Sequence, residues 1–271
     1  MFWNKKSRPL ARNLWLGLVG MFIVTLIVNG LAGSTDIIGG LQTAEISDSN
    51  PNLFAPAGVT FAIWSVIYAL LVAFVAYAGG VGRDKNSKLS TQKLELISRY
   101  LIINLALNTV WMFAWQYNVL WLSVFLMVGI LATLAKIVVE LRDVQLHGVE
   151  YVMAKLPFSV YFGWITVATV ANITTFLVSI KWDGFGIRDG VWTVAILLIA
   201  AVIGLVTALR NRDVAYLAVF VWAYAGILLK HLSPSAHNGM YPTVIITLTI
   251  LLAVFISVSV QLVRDTTPRK P

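Results

Sequence analysis

Eight stretches of about 20 mostly apolar residues alternate with short polar connections along this chain of 271 residues. A helix needs about 20 such residues to cross the hydrocarbon core of a bilayer. The chain is 59% hydrophobic and only 12% charged, whereas a soluble domain averages about 25% charged residues. We therefore expect an all-α integral membrane protein with about eight transmembrane helices. The expected spans are residues 13–33, 56–79, 99–118, 119–141, 153–180, 190–209, 213–231 and 242–264.

Lysine and arginine residues are distributed unevenly between the connections. Of the 20 in the chain, only Lys181, Arg188 and Lys230 fall in one set of alternate connections. The other seventeen are Lys5, Lys6, Arg8, Arg12, Arg83, Lys85, Lys88, Lys93, Arg99, Lys136, Arg142, Lys155, Arg210, Arg212, Arg264, Arg269 and Lys270. Cytoplasmic loops carry the excess of positive charge. We therefore expect a multi-pass protein of the cell membrane with both termini in the cytoplasm. The net charge of +8 is assigned to this anchoring and not to nucleic-acid binding.

Two asparagines and a tryptophan fall on one face of the third span. Asn104, Asn108 and Trp111 are spaced i, i+4 and i+7 in an apolar run, residues 100–121, that has no charged residue. A side-chain amide without a partner in apolar surroundings costs roughly 1–3 kcal/mol. This face is therefore expected to meet a neighbouring helix or a cavity and not lipid. The simpler alternative for each asparagine is a hydrogen bond between helices, worth about 1 kcal/mol.

A comparable aromatic stripe lies on the second span. Phe61, Trp64 and Tyr68 are spaced i, i+3 and i+7, shortly after Pro56, which suits the first turn of a helix because its missing N–H is not needed there. Tryptophan and tyrosine are enriched where helices cross the membrane interface. Both an aromatic belt and the wall of a pocket fit this stripe.

The fifth span carries a third stripe. Trp164, Ala168 and Asn172 repeat at i, i+4 and i+8, and Tyr161 joins the same face one turn earlier. As before, the alternative for Asn172 is a hydrogen bond that holds two helices together. Three asparagines and several aromatic residues on three helices favour convergence on one pocket.

Together these stripes resemble the TspO/MBR family of tryptophan-rich sensory and translocator proteins. The runs that carry the resemblance are Trp64–Tyr68, Asn104–Trp111 and Trp164–Asn172. They occur in the family's order and at matching helix positions, and the resemblance covers about residues 13–182. It implies that residues 1–182 form a TspO-like bundle of five helices. Residues 183–271 then form an additional three-helix membrane segment with a short cytoplasmic tail.

The resemblance also implies a ligand class, because family members bind tetrapyrroles such as protoporphyrin or haem, and in some cases sterols. Their pocket is roofed by the loop between the first two helices. That loop usually carries tryptophan, tyrosine and lysine, and residues 34–55 here have none of them. The function implied is binding of an apolar or planar ligand within the membrane, for sensing or translocation. The predicted ligand-binding residues are Trp64, Tyr68, Asn104, Asn108, Trp111, Trp164, Ala168 and Asn172. The expected partners are membrane lipid, a small hydrophobic ligand and a second copy in a homodimer.

The alternative function is a permease, or a permease subunit, for a small amphiphile. Lys136 is the only ionisable residue clearly inside a predicted span. Coupled transporters usually keep such residues at mid-membrane, so ion-coupled transport is disfavoured. The chain has no cysteine, and no nucleophile–base pair or paired carboxylates occur within a span. We therefore expect neither an enzyme nor a metal site.

Two outer loops carry polar residues that the sequence assigns to solvent. His231 and His237 share a short loop with Lys230, and nothing supplies a third metal ligand at fixed spacing. Residues 183–190 are rich in glycine but follow no strand and lack the lysine of a phosphate-binding loop. A solvated loop and a plain turn are the expected structures.

Overall fold

The computed structural model describes residues 7–40 and 43–266 of the chain. The predicted cytoplasmic charges Lys5, Lys6, Arg269 and Lys270 lie outside the described residues. The structure is 78% helical and has no strand in the described ranges. The helices are α1 (Arg12–Ser34), α2 (Thr43–Ser49), α3 (Ile63–Ala78), α4 (Thr91–Gln116), α5 (Leu120–Arg142), α6 (Gly148–Ala154), α7 (Leu156–Ser179), α8 (Asp189–Asn211), α9 (Val214–Leu232) and α10 (Pro242–Thr266). A 3₁₀ turn, Gly58–Ala62, leads into α3.

Eight segments of the described chain are long and apolar enough to cross a membrane. They are Arg12–Ser34, Gly58–Ala78, Thr91–Gln116, Leu120–Arg142, Gly148–Ser179, Asp189–Asn211, Val214–Leu232 and Pro242–Asp265. Each coincides with a predicted span, so the all-α membrane fold class is confirmed. The short polar break between the third and fourth spans is also confirmed. There Asn118 adopts φ 56°, a left-handed conformation that asparagine tolerates.

Polar side chains begin two of these helices. The hydroxyl of Ser90 accepts a hydrogen bond from the backbone N–H of Lys93 at 3.3 Å, which caps α4. The carboxylate of Asp213 accepts one from the N–H of Tyr216 at 3.0 Å, which caps α9. Such caps satisfy N–H groups that have no partner inside the helix. They set the starts of α4 and α9 from local sequence.

Contacts divide the chain into two compact units, and the first joins the residues up to Ile46 with Ile63–Phe162. Within it, α4 packs along both α1 and α5, and α3 contacts α1 and α6. Phe74 and Phe158 meet edge to face in the interior, with ring centroids 4.7 Å apart. This unit holds the asparagine stripe of α4.

A buried arginine ties the loop after α3 to its surroundings in the same unit. Arg83 is only 6% exposed. It donates hydrogen bonds to the carbonyls of Ser7 (3.2 Å) and Leu89 (2.6 Å) and to the hydroxyl of Tyr77 (3.0 Å). Tyr77 in turn donates to the carboxylate of Glu150 at 2.7 Å. Arg83 therefore holds the loop after α3 in place through hydrogen bonds, in addition to carrying a positive charge.

The second unit comprises Ser47–Ala62 and the chain from Gly163 onward. Its helices α8, α9 and α10 pack against one another, and the Phe220 ring lies 5.8 Å from that of Phe255. The last three helices thus share a unit with an early segment of the chain. The domain boundary placed at residue 182 by the resemblance stays a prediction.

The early segment contacts α9 through backbone as well as side chains. The N–H of Ala57 donates to the carbonyl of Gly226 at 3.0 Å, and the indole N–H of Trp222 donates to the carbonyl of Thr60 at 2.9 Å. Gly226 lies directly against the side chain of Thr60, where a Cβ atom would overlap it. A glycine is required here because the two backbones approach so closely.

Candidate ligand-binding site

A chain of buried hydrogen bonds links α1, α4 and the start of α7 within the first unit. The Asn29 amide donates to the carbonyl of Thr25 and to Oδ1 of Asn108, both at 2.9 Å. The Asn108 amide donates to the hydroxyl of Tyr161 at 3.3 Å. Thr25, Asn108 and Tyr161 are at most 1% exposed. The donor and acceptor of each of these hydrogen bonds are thus defined, and the series ends at the hydroxyl of Tyr161.

Aromatic rings of α3 lie beside that tyrosine. The rings of Trp64 and Tyr161 meet edge to face with centroids 5.8 Å apart, and Trp64 and Tyr68 are stacked at 5.5 Å. The hydroxyl oxygen of Tyr68 is buried and has no hydrogen-bond partner in the described structure. We call Asn29, Trp64, Tyr68, Asn108 and Tyr161 the aromatic–amide cluster. It combines ring faces with a short row of directed polar groups.

Asn104, one turn before Asn108, contacts a different helix. Its amide donates to the carbonyl of Ile130 at 3.0 Å and to the hydroxyl of Thr133 at 2.8 Å, both on α5. Its Oδ1 is buried without a partner among the described residues. The arrangement matches the simpler interpretation of a hydrogen bond between helices, and a ligand-binding role for Asn104 stays a prediction.

Trp111 lies two turns beyond Asn104 on α4, is 5% exposed and stacks on Trp115 at 5.7 Å. The indole N–H of Trp115 donates to the carbonyl of Thr43 at 3.1 Å. The Gln116 amide donates to the carbonyl of Ala32 at 2.9 Å. This end of α4 is therefore hydrogen-bonded to the last turns of α1 and to the first residue of α2.

The remaining predicted residues belong to the second unit. Trp164 is 3% exposed and meets the ring of Phe61 edge to face at 5.9 Å. Ala168 is half-buried, and Asn172 is buried. Of the predicted residues, the structure therefore brings Trp64, Tyr68 and Asn108 together. Trp64 contacts both Tyr68 and Tyr161, and Asn108 is hydrogen-bonded to Tyr161. For the other five predicted residues, a role in binding stays a prediction.

Asn29 and Tyr161 belong to the aromatic–amide cluster, but neither is among the ligand-binding residues that the sequence predicts. Asn29 is an asparagine inside the apolar first span, which is the same signal that marks Asn108. Tyr161 lies on the predicted stripe of the fifth span. Their pairing with Asn108 depends on which helices become neighbours, and periodicity does not carry that information.

A separate cavity of about 380 Å³ lies within the second unit. Four of its lining residues are phenylalanine, tryptophan or tyrosine, and Asp189 and His237 also line it. The rings of Trp182 and Trp192 lie 5.2 Å apart at an angle of 55°, and the indole N–H of Trp192 donates to the carbonyl of Gly184 at 2.7 Å. We call this space the Trp182 cavity. The glycine-rich turn thus holds Trp192, a wall residue of the cavity, by a hydrogen bond. The sequence predicts only a plain turn here.

The prediction of a solvated histidine loop is wrong for His231. Helix α9 continues to Leu232, so His231 lies in its last turn, and it is fully buried. Its Nε2 lies 2.9 Å from the carbonyl oxygen of Leu53. The His237 ring lies beside it, tilted by 33°, with ring centroids 4.6 Å apart. Burial lowers the pKa of His237, and the neighbouring His231 and Lys230 lower it further.

These features define a class, the multi-pass α-helical membrane proteins with aromatic and amide side chains buried between their helices. The family model described as TSPO-like protein matches residues 15–261. Because the match covers most of the chain, this chain belongs to the TSPO-like protein family. The match runs beyond residues 13–182, which carried the motif resemblance, and takes in the last three helices as well. No curated protein and no solved structure matches the chain.

Proposed function

We propose that this protein binds an apolar, planar small molecule of the tetrapyrrole or sterol kind at the aromatic–amide cluster, for sensing or translocation. The observation that carries the proposal is the buried Tyr68 hydroxyl, which has no protein partner and lies on a ring stacked against Trp64. An unsatisfied buried hydroxyl costs about 1–3 kcal/mol. A ligand that accepts its hydrogen bond recovers that cost on binding.

The apolar part of the ligand is matched by the rings. Trp64 presents a large indole surface that is only half-buried, beside the rings of Tyr68 and Tyr161. Aromatic faces favour stacked or edge-on contact with other flat π systems, worth about 0.5–1.5 kcal/mol beyond the area buried. A flat ring system therefore suits this wall better than a flexible acyl chain.

The polar part of the ligand is matched by the direction of the hydrogen-bond chain. Asn29 donates to Asn108, and Asn108 donates to the oxygen of Tyr161. The Tyr161 hydroxyl proton is therefore left to donate onward, and it has no acceptor in the described structure. Two phenolic donors, Tyr68 and Tyr161, favour a ligand whose edge carries an acceptor such as a carboxylate or hydroxyl. The cluster contains no acid–base pair, so binding is proposed and not catalysis.

Replacing Trp64 with leucine is expected to weaken binding of protoporphyrin IX at least about tenfold, equivalent to about 1.4 kcal/mol. The substitution removes the ring that contacts both tyrosines. Binding is measured by absorbance titration of the ligand with protein in lipid nanodiscs. Trp121→Leu is the matched control, because Trp121 is 63% exposed on α5, and its affinity should be unchanged. Equal affinities in the two variants would sink the proposal.

Replacing Tyr68 with phenylalanine is expected to move stability and affinity in opposite directions. The ring stays, but the unsatisfied hydroxyl is removed, so unfolding free energy should rise by about 1 kcal/mol. Affinity for a ligand with an acceptor edge should fall several-fold, because one hydrogen bond to it is lost. A cholesterol titration run in parallel separates sterol from tetrapyrrole. A loss of stability together with unchanged affinity would contradict the role given to this hydroxyl.

A flux assay separates binding for sensing from translocation. Liposomes loaded with the ligand that binds best are followed for its release, with the Trp64→Leu protein as the reference. Faster release through the unmodified protein supports translocation. Equal release through both proteins supports a sensor.

A further inference from the structure

The walls of the Trp182 cavity are aromatic on more than one side. Trp182 and Trp192 form two adjoining faces, and Tyr241 forms another part of the lining. A Cβ atom placed on Gly190 would lie 3.7 Å from Cδ1 of Tyr241, so this ring packs against the first turn of α8. The volume of about 380 Å³ falls within the range of small-molecule sites. The cavity therefore has the size and the walls of a binding site for a compact ligand.

One carboxylate lines this aromatic space, at an exposed residue in the first turn of α8. Asp189 lines the cavity, and its side chain makes no hydrogen bond or ion pair in the described part of the chain. Lys230 of the same unit is paired with Asp48 at 2.6 Å. Arg188 precedes Asp189 at the start of α8, but it forms no ion pair with the Asp189 carboxylate in the described part of the chain.

His237 adds a second ionisable group to the lining. Its Nε2 is buried and has no partner among the described residues. Burial, His231 and Lys230 all lower the pKa of its imidazole, so the ring is neutral at neutral pH and adds no positive charge. A neutral imidazole nitrogen bonds a hydroxyl group, which can donate or accept as the tautomer requires.

From this arrangement we propose that the Trp182 cavity binds a small organic cation, a quaternary or protonated amine that carries a hydroxyl group. The ammonium lies against Trp182, Trp192 and Tyr241 with Asp189 as counter-ion, and the hydroxyl bonds His237. Cations are attracted to the faces of aromatic rings, most strongly to tryptophan, and aromatic cages recognise quaternary ammonium groups in this way. This site shares no residue with the aromatic–amide cluster, so either proposal can fail without the other.

The test compares choline with its uncharged analogue 3,3-dimethyl-1-butanol, which has the same shape but carbon in place of nitrogen. Each is titrated by calorimetry into the protein in nanodiscs of phosphatidylglycerol. We expect choline to bind at least tenfold more tightly than the neutral analogue. Equal affinities would overturn the proposal, because they would assign the site to shape and apolar contact alone. Absence of choline binding would overturn it as well.

Two pairs of variants locate the binding. Asp189→Asn should weaken choline binding at least fivefold, whereas Asp183→Asn, which changes the same charge in the preceding turn, should change it less than twofold. Tyr241→Leu should weaken it at least fivefold, whereas Tyr117→Leu, at a residue 62% exposed in the first unit, should leave it unchanged. Should Asp189→Asn and Tyr241→Leu both bind as the unmodified protein does, choline binds elsewhere and the proposal fails.

The quaternary ammonium could come from a free solute or from the headgroup of a lipid. Repeating the titration in phosphatidylcholine nanodiscs distinguishes these sources. A lower apparent affinity for added choline indicates that the lipid headgroup competes for the cavity. An unchanged affinity indicates a free solute, and both results support an organic-cation site.

Discussion

Replacing Gly226 with leucine is expected to lower the free energy of unfolding by about 3 kcal/mol or more. A side chain at this position would overlap Thr60, whose Cγ2 and Cβ would lie 2.7 and 2.9 Å from the new Cβ. The backbone cannot move aside easily, because the Gly226 carbonyl accepts a hydrogen bond from Ala57 and Trp222 holds the carbonyl of Thr60. Overpacking a well-packed interior typically costs about 1–3 kcal/mol, and here a backbone hydrogen bond is at risk as well.

Further variants, including Thr60→Ala alone, make this result specific to the contact. Gly20→Leu lies on α1 with no atom within 4 Å of a new Cβ, so it should be neutral or slightly stabilising. Gly226→Ala should destabilise less than leucine, and adding Thr60→Ala should recover part of the loss because the overlapping hydroxyl and methyl are gone. Stability is measured by SDS titration in detergent micelles. Strictly additive effects of the last two substitutions would contradict the packing of Gly58–Ala62 against α9.

Replacing Arg83 with methionine is the second change with a large expected effect, a loss of about 3 kcal/mol of unfolding free energy. The guanidinium satisfies the carbonyls of Ser7 and Leu89 and the hydroxyl of Tyr77. Methionine fills similar space but donates nothing, so these acceptors would be left buried or rehydrated by loosening of the loop. Hydrogen bonds to charged groups contribute about 1.5–3 kcal/mol each, and their loss is only partly additive.

Lys88→Met is the matched control for Arg83. It removes the same charge from the same loop, but the Lys88 side chain is exposed. Any effect of the loop's total charge on membrane orientation is therefore equal in the two variants. Only Arg83→Met should lower stability, as measured by SDS titration. Similar losses in both would assign the role of Arg83 to anchoring charge alone.

The arrangement of spans could be predicted because it depends on local properties. Length and apolarity place a helix in the membrane without reference to its neighbours. The break at Asn118 was visible as a short polar interruption, and the structure gives it the left-handed backbone that asparagine accepts. These features are encoded within a few residues of where they act.

Partners between helices could not be predicted in the same way. Asn104 and Asn108 share a helix face by spacing, yet Asn104 bonds α5 while Asn108 bonds Asn29 and Tyr161. One face of a helix can contact two neighbouring helices, and the 3.6-residue period does not indicate which helices these are.

Long-range contacts also changed the environment of polar residues that local sequence assigns to water. His231 lies against the carbonyl of Leu53, 178 residues earlier in the chain. The sequence places Arg83 among the cytoplasmic charges, but its side chain is buried and donates hydrogen bonds to three acceptors. Local charge and loop length predict exposure for both residues. Their burial also depends on acceptors distant in the chain, Leu53 for His231 and Ser7 for Arg83, which local sequence does not specify.

The most direct test of the central claim is an experimental structure of the protein with protoporphyrin IX bound in a lipid nanodisc. We expect ligand density against Trp64 and Tyr68, with a polar edge of the macrocycle within hydrogen-bond distance of the Tyr68 or Tyr161 hydroxyl. Density only in the Trp182 cavity, or no density at ligand concentrations that saturate binding, would contradict the assignment of the aromatic–amide cluster as the ligand site.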